Sequence, residues 1–424
     1  MIILEIVFWI CFISSIAYLP AGFILVGKVP LLPVRFVKDS RDKTPSQNSA
    51  NAETSAHILP IALIVPARNE AKRLAPLLTS LKKQHPQPME ICIVDDQSSD
   101  NTAGIAADYG FPVITAEPPP EGWTGKAWAC WNGYLNTKAP ILLFLDADTM
   151  LGDGALQRLY SAYTSANSGV QTVHPYHLIQ KPYETLSAFP DLVSLAAVGN
   201  FPLMRSSKNS KGNTLKSTKY PGYPHPQPGM RHTLGKGLFG PCILVSRETY
   251  QKAGGHKAVA GSIIEDVELG NIFAQNGISI SAYSGKGAVY FRMYGEGIKA
   301  LIEGWAKNLA SGSYSSNIRT TLALSVWITG MVNAVLSLLL AIPLSVFYPT
   351  VVLGAAAYLG HSLQVWTLQR KAGKFGVFPA VFFPFYLLFF LYLFAKSRFF
   401  TYKKGKAQWK GRSIAINASK NRRV

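Results

Sequence analysis

Acidic side chains are scarce in this 424-residue chain: 23 Asp and Glu stand against 42 Lys and Arg, a formal net charge of +19. The basic excess lies in loops and beside apolar blocks. No recognisable DNA- or RNA-binding motif accompanies it, so the charge points to an anionic membrane surface and away from nucleic acid. Cysteine is sparse as well. Cys11, Cys92, Cys130 and Cys242 are scattered without CxxC spacing, which argues against a disulfide scaffold and places the chain in a reduced compartment. The length allows one large domain or two, with ample material for a core.

Long apolar runs are what the chain has in quantity. Ile2 to Val26 carries one charge, Glu5, and meets the roughly 20-residue requirement of a membrane span. It lacks the basic start and small-residue cleavage site of a secretory signal, so it reads as an uncleaved anchor. Lys28, Arg35, Lys38, Arg41 and Lys43 follow it, and the positive-inside rule puts what comes next in the cytosol. Ser40 to Ser55 reads as a polar linker within a basic stretch, 28–57. After Arg319, apolar blocks recur at about Leu322 to Leu344, Val346 to Val365 and Phe375 to Phe394. The loop Arg370 to Lys374 and the tail Lys403 to Lys406 both suit the cytosolic side, yet a single crossing between them would separate them. Pro379 and Pro384 therefore mark Phe375 to Phe394 as a candidate re-entrant or in-plane segment. The expected layout is an anchor (1–27), a catalytic domain (58–318) with a basic insertion loop (205–232), membrane segments (319–396) and a basic tail (397–424). In it Trp409 to Arg412 return towards the active site.

The globular part opens with a strand-like run, Ile58 to Val65, a turn Pro66-Ala-Arg68-Asn-Glu70, and an apolar-striped helix through Leu74, Leu77, Leu78 and Leu81. A second strand, Glu90 to Val94, ends in Asp95 and Asp96, and a third, Val113 to Thr115, precedes Gly125-Lys126. The fourth, Ile141 to Leu145, runs into Asp146-Ala-Asp148. Strand and helix alternate in the manner of a parallel sheet, whose carboxyl edge is where such sheets bind ligands. An edge crowded with carboxylates is costly without a cation, and Mg2+ or Mn2+ holding a diphosphate is the economical occupant. Blander readings stand beside this one: Asp95 and Asp96 as a turn and helix cap, Lys126 as a solvated loop lysine, Glu265 and Glu268 as acids of a first helical turn. His174 and His177 have helical metal-ligand spacing, which Pro175 opposes. Residues 181–203 read as a helix at the membrane interface.

In this order, Val65-Pro-Ala-Arg-Asn-Glu70, Val94-Asp-Asp-Gln-Ser-Ser-Asp100, Gly125-Lys126 and Asp146-Ala-Asp148 resemble the nucleotide-sugar half of family 2 glycosyltransferases. Gly240 to Arg247, Ala253-Gly-Gly-His256 and Ile264-Glu-Asp266-Val-Glu-Leu269 are similar to that family's acceptor side. Phe291 to Tyr294, Ile302 to Lys307 and Trp409 to Arg412 resemble its bacterial lipid-glycosylating branch, enzymes of carotenoid synthesis included.

The resemblance implies an α/β GT-A fold: a Rossmann-like, mixed but mostly parallel sheet, flanked by N-terminal and C-terminal transmembrane helices. It implies an inverting, membrane-bound, multi-pass hexosyltransferase that takes sugar from a UDP-sugar to a lipid, a carotenoid or other isoprenoid. Pro66, Arg68, Glu70, Asp95, Asp96 and Lys126 would contact the nucleotide-sugar. Asp146 and Asp148 would meet ribose and Mg2+ or Mn2+. Asp266 would be general base for a hydroxyl acceptor and only orient a carboxylate one; Gly240, Glu265 and Trp305 would contact acceptor or sugar. Processive members carry Gln-x-x-Arg-Trp, and Glu303-Gly-Trp305 stands there instead, which counts against a polysaccharide synthase. A non-catalytic scaffold is the other alternative, opposed by the joint presence of Asp96, Asp146, Asp148 and Asp266.

Overall fold

A computed structural model describes residues 1–33, 58–166, 169–198, 238–262, 264–312, 318–344, 348–404, 406–409 and 412–415. The insertion 205–232, most of the linker and the end of the tail lie outside the described residues. The chain divides into two compact units, 30–175 with 200–291, and 1–29 with 176–199 and 292–424.

The first unit is built on β1 (Ile58–Ala67), α1 (Leu74–Lys82), β2 (Gln87–Asp95), α2 (Thr102–Asp108), β3 (Val113–Thr115), α3 (Gly125–Leu135), β4 (Ile141–Leu145), β5 (Thr149–Leu151), α4 (Ala155–Ser165), β6 (Val170–His174), β7 (Cys242–Ser246), α5 (Arg247–Lys252), α6 (Glu265–Gln275), β8 (Ile280–Ser284) and β9 (Val289–Phe291). Seven strands form one sheet in the order β3-β2-β1-β4-β7-β6-β8. The β3-β2-β1-β4 half is parallel throughout. β7 runs antiparallel to both β4 and β6, which makes the sheet mixed. β5 and β9 form a separate antiparallel pair.

Continuous apolar strands are expected where both sheet faces are covered. Alternate residues of β1 and β4 accordingly enter different cores: Ile61, Leu63, Val65, Ile141, Leu143 and Leu145 pack on the α1 and α4 side. Ala62, Ile64, Leu142 and Phe144 pack on the other side with residues of α3 and α6. Since β1, β2 and β4 are parallel, the residues following each leave the sheet at one edge.

In the second unit, three helices are long and apolar enough to cross a membrane, over Ile2–Gly27, Arg319–Ala341 and Pro349–Ala372. Their mutual faces carry polar side chains. Trp327 Nε1 donates to Gln364 Oε1 at 2.7 Å, Gln364 Nε2 donates to the Leu19 carbonyl, and Asn333 Nδ2 donates to Ser14 Oγ at 2.7 Å. A Cβ at Gly22 would meet Trp327 Nε1 at 2.4 Å, so the small residue allows the approach.

Several local expectations change. The second C-terminal block is a helix to Ala372, not one ending at Val365: Leu368 and Ala372 are buried, and Lys371 donates to the carbonyls of Gly27 and Val29. Arg370 and Lys371 thus lie in a last helical turn, where cations suit the dipole, and not in a loop. The block bearing Pro379 and Pro384 becomes a single turn, Phe378–Val381, then a helix Phe383–Lys404. Pro384 sits in that helix's first turn, where no hydrogen bond is lost. His174 and His177 occupy strands, without helical spacing, and His177 Nδ1 is 2.9 Å from Asp191 Oδ2. Residues 188–198 are helical, with Phe189, Leu192 and Leu195 buried within protein. Lys406–Trp409 and Arg412–Ala415 pair as an antiparallel ribbon.

Candidate active site

The turns after β1 and β2 are laced together. Asn69 and Gln97 adopt left-handed backbone, φ 52° and 56°, a conformation that Asn tolerates better than most non-glycine residues. Asn69 Oδ1 accepts the Ser99 N–H at 2.8 Å, the Asn69 N–H donates to Ser98 Oγ at 2.9 Å, and the Glu70 N–H donates to Thr102 Oγ1 at 2.8 Å. The Asp96 N–H donates to the Ala67 carbonyl at 2.8 Å, and Arg68 Nη1 to the Asp96 carbonyl at 2.7 Å. Asp95 and Asp96 are 5% and 2% exposed. Asp95 Oδ2 accepts the Ser98 N–H at 3.2 Å, as the turn reading expects. Its Oδ1 is buried with no hydrogen-bond partner, a carboxylate oxygen turned inward without a donor.

At the end of β4 the acids converge. Asp146 is held by its N–H donating to the Pro241 carbonyl at 3.0 Å. Its carboxylate pairs with Lys126 Nζ at 2.8 Å, and Lys126 also lies 3.4 Å from Glu265. Lys126 is therefore in the first turn of α3 and tied to two acids, not a solvated loop residue. Burial alone would lower its pKa, but Asp146, Glu265 and Asp266 together outweigh burial and hold the ammonium well above its ordinary range. Glu70 forms an ion pair with Arg73 at 2.9 Å.

Asp148 is pushed up to about 6, first by burial and then by the charges of Asp146 and Glu70. Such crowding suits a divalent cation. No group of three or more His, Cys, Asp or Glu among the described residues is placed to hold a metal, so Asp146 and Asp148 supply at most two carboxylates. That donor set fits a hard ion which completes its shell with phosphate oxygens and water.

Glu265 and Asp266 open α6. Both are first-turn acids, as the bland reading has it, and both also border the pocket formed with Pro66, Lys126, Asp146 and Gly240. Asp266 Oδ2 accepts the Gly240 N–H at 3.0 Å. Gly240 has to be small, since a Cβ there would lie 2.6 Å from that oxygen. Burial raises the Asp266 carboxyl, against Lys126 and the Val267 N–H, while Glu265 is raised to about 7 by burial despite Lys126.

Trp305 belongs to the other unit. It is 3% exposed, donates from Nε1 to Ser187 Oγ at 2.9 Å and meets the Tyr294 ring edge-on at 5.9 Å, so its indole N–H is already used inside protein. Sequence reasoning missed the lacing by Asn69, Ser98 and Thr102 and the pocket-wall residues Cys130 and Phe144, and it quoted His256 in a motif without giving it a role. The Gly-Gly before His256 was the available signal for the last.

The Glycosyl transferase family 2 profile matches residues 62–232. The 4,4'-diaponeurosporenoate glycosyltransferase of Staphylococcus aureus (strain USA300) is 30% identical over 360 residues, which cover 84% of this chain and 88% of that one. Among solved structures, a mannosyltransferase from Pyrobaculum calidifontis in complex with GDP-Man and Mn2+ has 13% identity and TM-score 0.48, over 92% of this chain and 99% of its own. Glucosyl-3-phosphoglycerate synthase from Mycobacterium tuberculosis, in complex with Mn2+, UDP and glucosyl-3-phosphoglycerate, has 15% identity and TM-score 0.36, over 62% of this chain and 82% of its own. With the profile on residues 62–232 and identity to the Staphylococcus enzyme across most of both chains, the chain belongs to the family 2 glycosyltransferases and is a glycosyltransferase of GT-A fold.

Proposed function

We propose that this enzyme moves a hexose, glucose first among candidates, from a UDP-sugar to a lipid, a carotenoid carboxylate or hydroxyl, at the cytosolic face of the cell membrane. The observation that carries the reading is the convergence of acids on Lys126, whose Nζ lies 2.8 Å from Asp146 and 3.4 Å from Glu265 with Asp266 lining the same pocket. Similarity to the Staphylococcus 4,4'-diaponeurosporenoate glycosyltransferase supports the acceptor class, and the three apolar helices support a membrane setting.

In this reading Asp95 and Asp96 face the nucleoside, Asp95 Oδ1 offering a buried acceptor to an N–H of the base. Pro66, Arg68 and Glu70 shape that end. Asp146 and Asp148 would hold Mg2+ or Mn2+, whose contribution when bound is to neutralise the diphosphate. Lys126 adds positive charge to the leaving group. A hydroxyl acceptor gives its proton to Asp266 as its oxygen bonds to the anomeric carbon, the bond from that carbon to the diphosphate oxygen breaks, and configuration inverts. A carboxylate acceptor needs no proton removed, and Asp266 then orients. Gly240 and Glu265 line the acceptor side.

The test is incubation of membranes holding the full chain with labelled UDP-glucose, Mn2+ and carotenoid. Label in solvent-extractable lipid, lost in Asp146→Asn, is expected. Label in polymer would favour a processive synthase, and label nowhere with any sugar nucleotide would favour a scaffold.

A further inference from the structure

His256 borders the pocket and takes no part in the chemistry above. The residue is 2% exposed and lines the same pocket as Lys126, Asp146 and Asp266. The loop that delivers it needs glycine twice: Gly254 and Gly255 have φ of 81° and 53°, and a Cβ at Gly255 would lie 2.4 Å from the Tyr250 ring. The turn brings the His256 backbone N–H to Tyr250 Oη at 2.9 Å and the same oxygen to His256 Nδ1 at 2.7 Å.

A buried phenol that accepts from the backbone still has a proton to place, and Nδ1 is the acceptor at hand. Nδ1 therefore accepts, and Nε2 carries the ring hydrogen. Phe144 meets the ring edge-on at 4.9 Å and fixes its plane. Burial, helped by Lys126, holds the imidazole down to about 3, so the ring is neutral. With Nδ1 committed to Tyr250, Nε2 is the polar ring atom left for the pocket. It is the neutral nitrogen donor among side chains that otherwise offer carboxylates, an ammonium, a thiol or hydrocarbon.

The reacting carbon has to lie between Asp146, at the diphosphate end, and Asp266, at the acceptor end, and His256 lines the pocket that holds both. We propose that His256, oriented by Tyr250, donates its Nε2 hydrogen to one hydroxyl of the transferred hexose and thereby discriminates between donor sugars. This rests on the pocket being the donor site. A fixed neutral donor suits a neutral hydroxyl, and a site built for a hydroxyl rejects the analogue that lacks it.

The experiment compares UDP-glucose and UDP affinities of the detergent-purified full chain, with Mn2+ present, for the parent, His256→Ala, His256→Gln, Tyr250→Phe and Asp146→Asn. His256→Ala is expected to lose roughly 10-fold for UDP-glucose, about one hydrogen bond, with UDP unchanged. His256→Gln, which keeps an N–H, recovers part, and Tyr250→Phe falls between. One monodeoxy-UDP-glucose should bind parent and His256→Ala alike. Equal loss for UDP and UDP-glucose, or no loss for either, overturns the assignment. Failure of the parent itself to bind UDP-glucose better than Asp146→Asn overturns the donor-site reading, and the assignment with it.

Discussion

Replacing Gly240 by alanine tests the Asp266 site with one methyl group. The new Cβ would stand 2.6 Å from Asp266 Oδ2 and 3.1 Å from its Cγ, where ordinary contact begins at 3.4 Å. The carboxylate therefore has to move by about 0.8 Å, and its 3.0 Å bond from the Gly240 N–H goes with it. Displacement on this scale costs a reacting group on the order of 100-fold in rate. The damage should fall on kcat and leave donor KM within a factor of about three, since Lys126, Asp146 and Asp148 are untouched. Initial rates of sugar transfer to the proposed lipid acceptor measure it. A double variant with Asp266→Asn should be no slower than Asp266→Asn alone, because the methyl acts through a carboxylate that has already been replaced. Unchanged kcat in Gly240→Ala, or full additivity with Asp266→Asn, would refute the role given to Asp266.

Asp148 and Glu265 are raised to about 6 and about 7, so the folded chain keeps these protons to higher pH than the unfolded one. The stability they contribute is complete below about pH 4 and is lost as pH rises through 6 and 7. Without metal, the thermal midpoint should therefore fall between about pH 5 and pH 7.5, and Mn2+ should raise it more at the higher pH. An equal Mn2+ effect at both, or one that survives in Asp146→Asn/Asp148→Asn, counts against the metal position. Leu143→Ala, at a fully buried position of β4 between Leu63 and Leu244, should cost about 2–5 kcal/mol in chemical denaturation; a cost under about 1 kcal/mol would contradict the two-faced packing.

What the sequence made legible followed from local pattern. Five consecutive apolar residues before Asp146 read correctly as a strand of the sheet, and the ordered motifs fixed the fold. The reversal of β7 did not show, because Cys242 to Ser246 is as apolar as a parallel strand would be and direction leaves no mark in composition. Helix 348–372 outruns its apolar block because Lys371 finds backbone carbonyls distant in sequence. Trp305 read as an acceptor or sugar contact, and one residue does not reveal that Ser187 takes its N–H. The Asp266–Gly240 and Lys126–Glu265 contacts join residues far apart in the chain, so they became visible only in three dimensions.

The bond from Trp327 to Gln364, and from Gln364 to the Leu19 carbonyl, bears on how this enzyme can be handled. An anchor whose only duty is attachment can be exchanged for another or trimmed to obtain a soluble form. In the membrane setting proposed above, removal of the first 27 residues would leave Gln364 Nε2 and Asn333 Nδ2 without the acceptors that Leu19 and Ser14 supply, each a substantial penalty in lipid. Truncation at that end is thus expected to yield an aggregating protein, not a water-soluble one, and expression designs do better to keep all three helices or to discard them together.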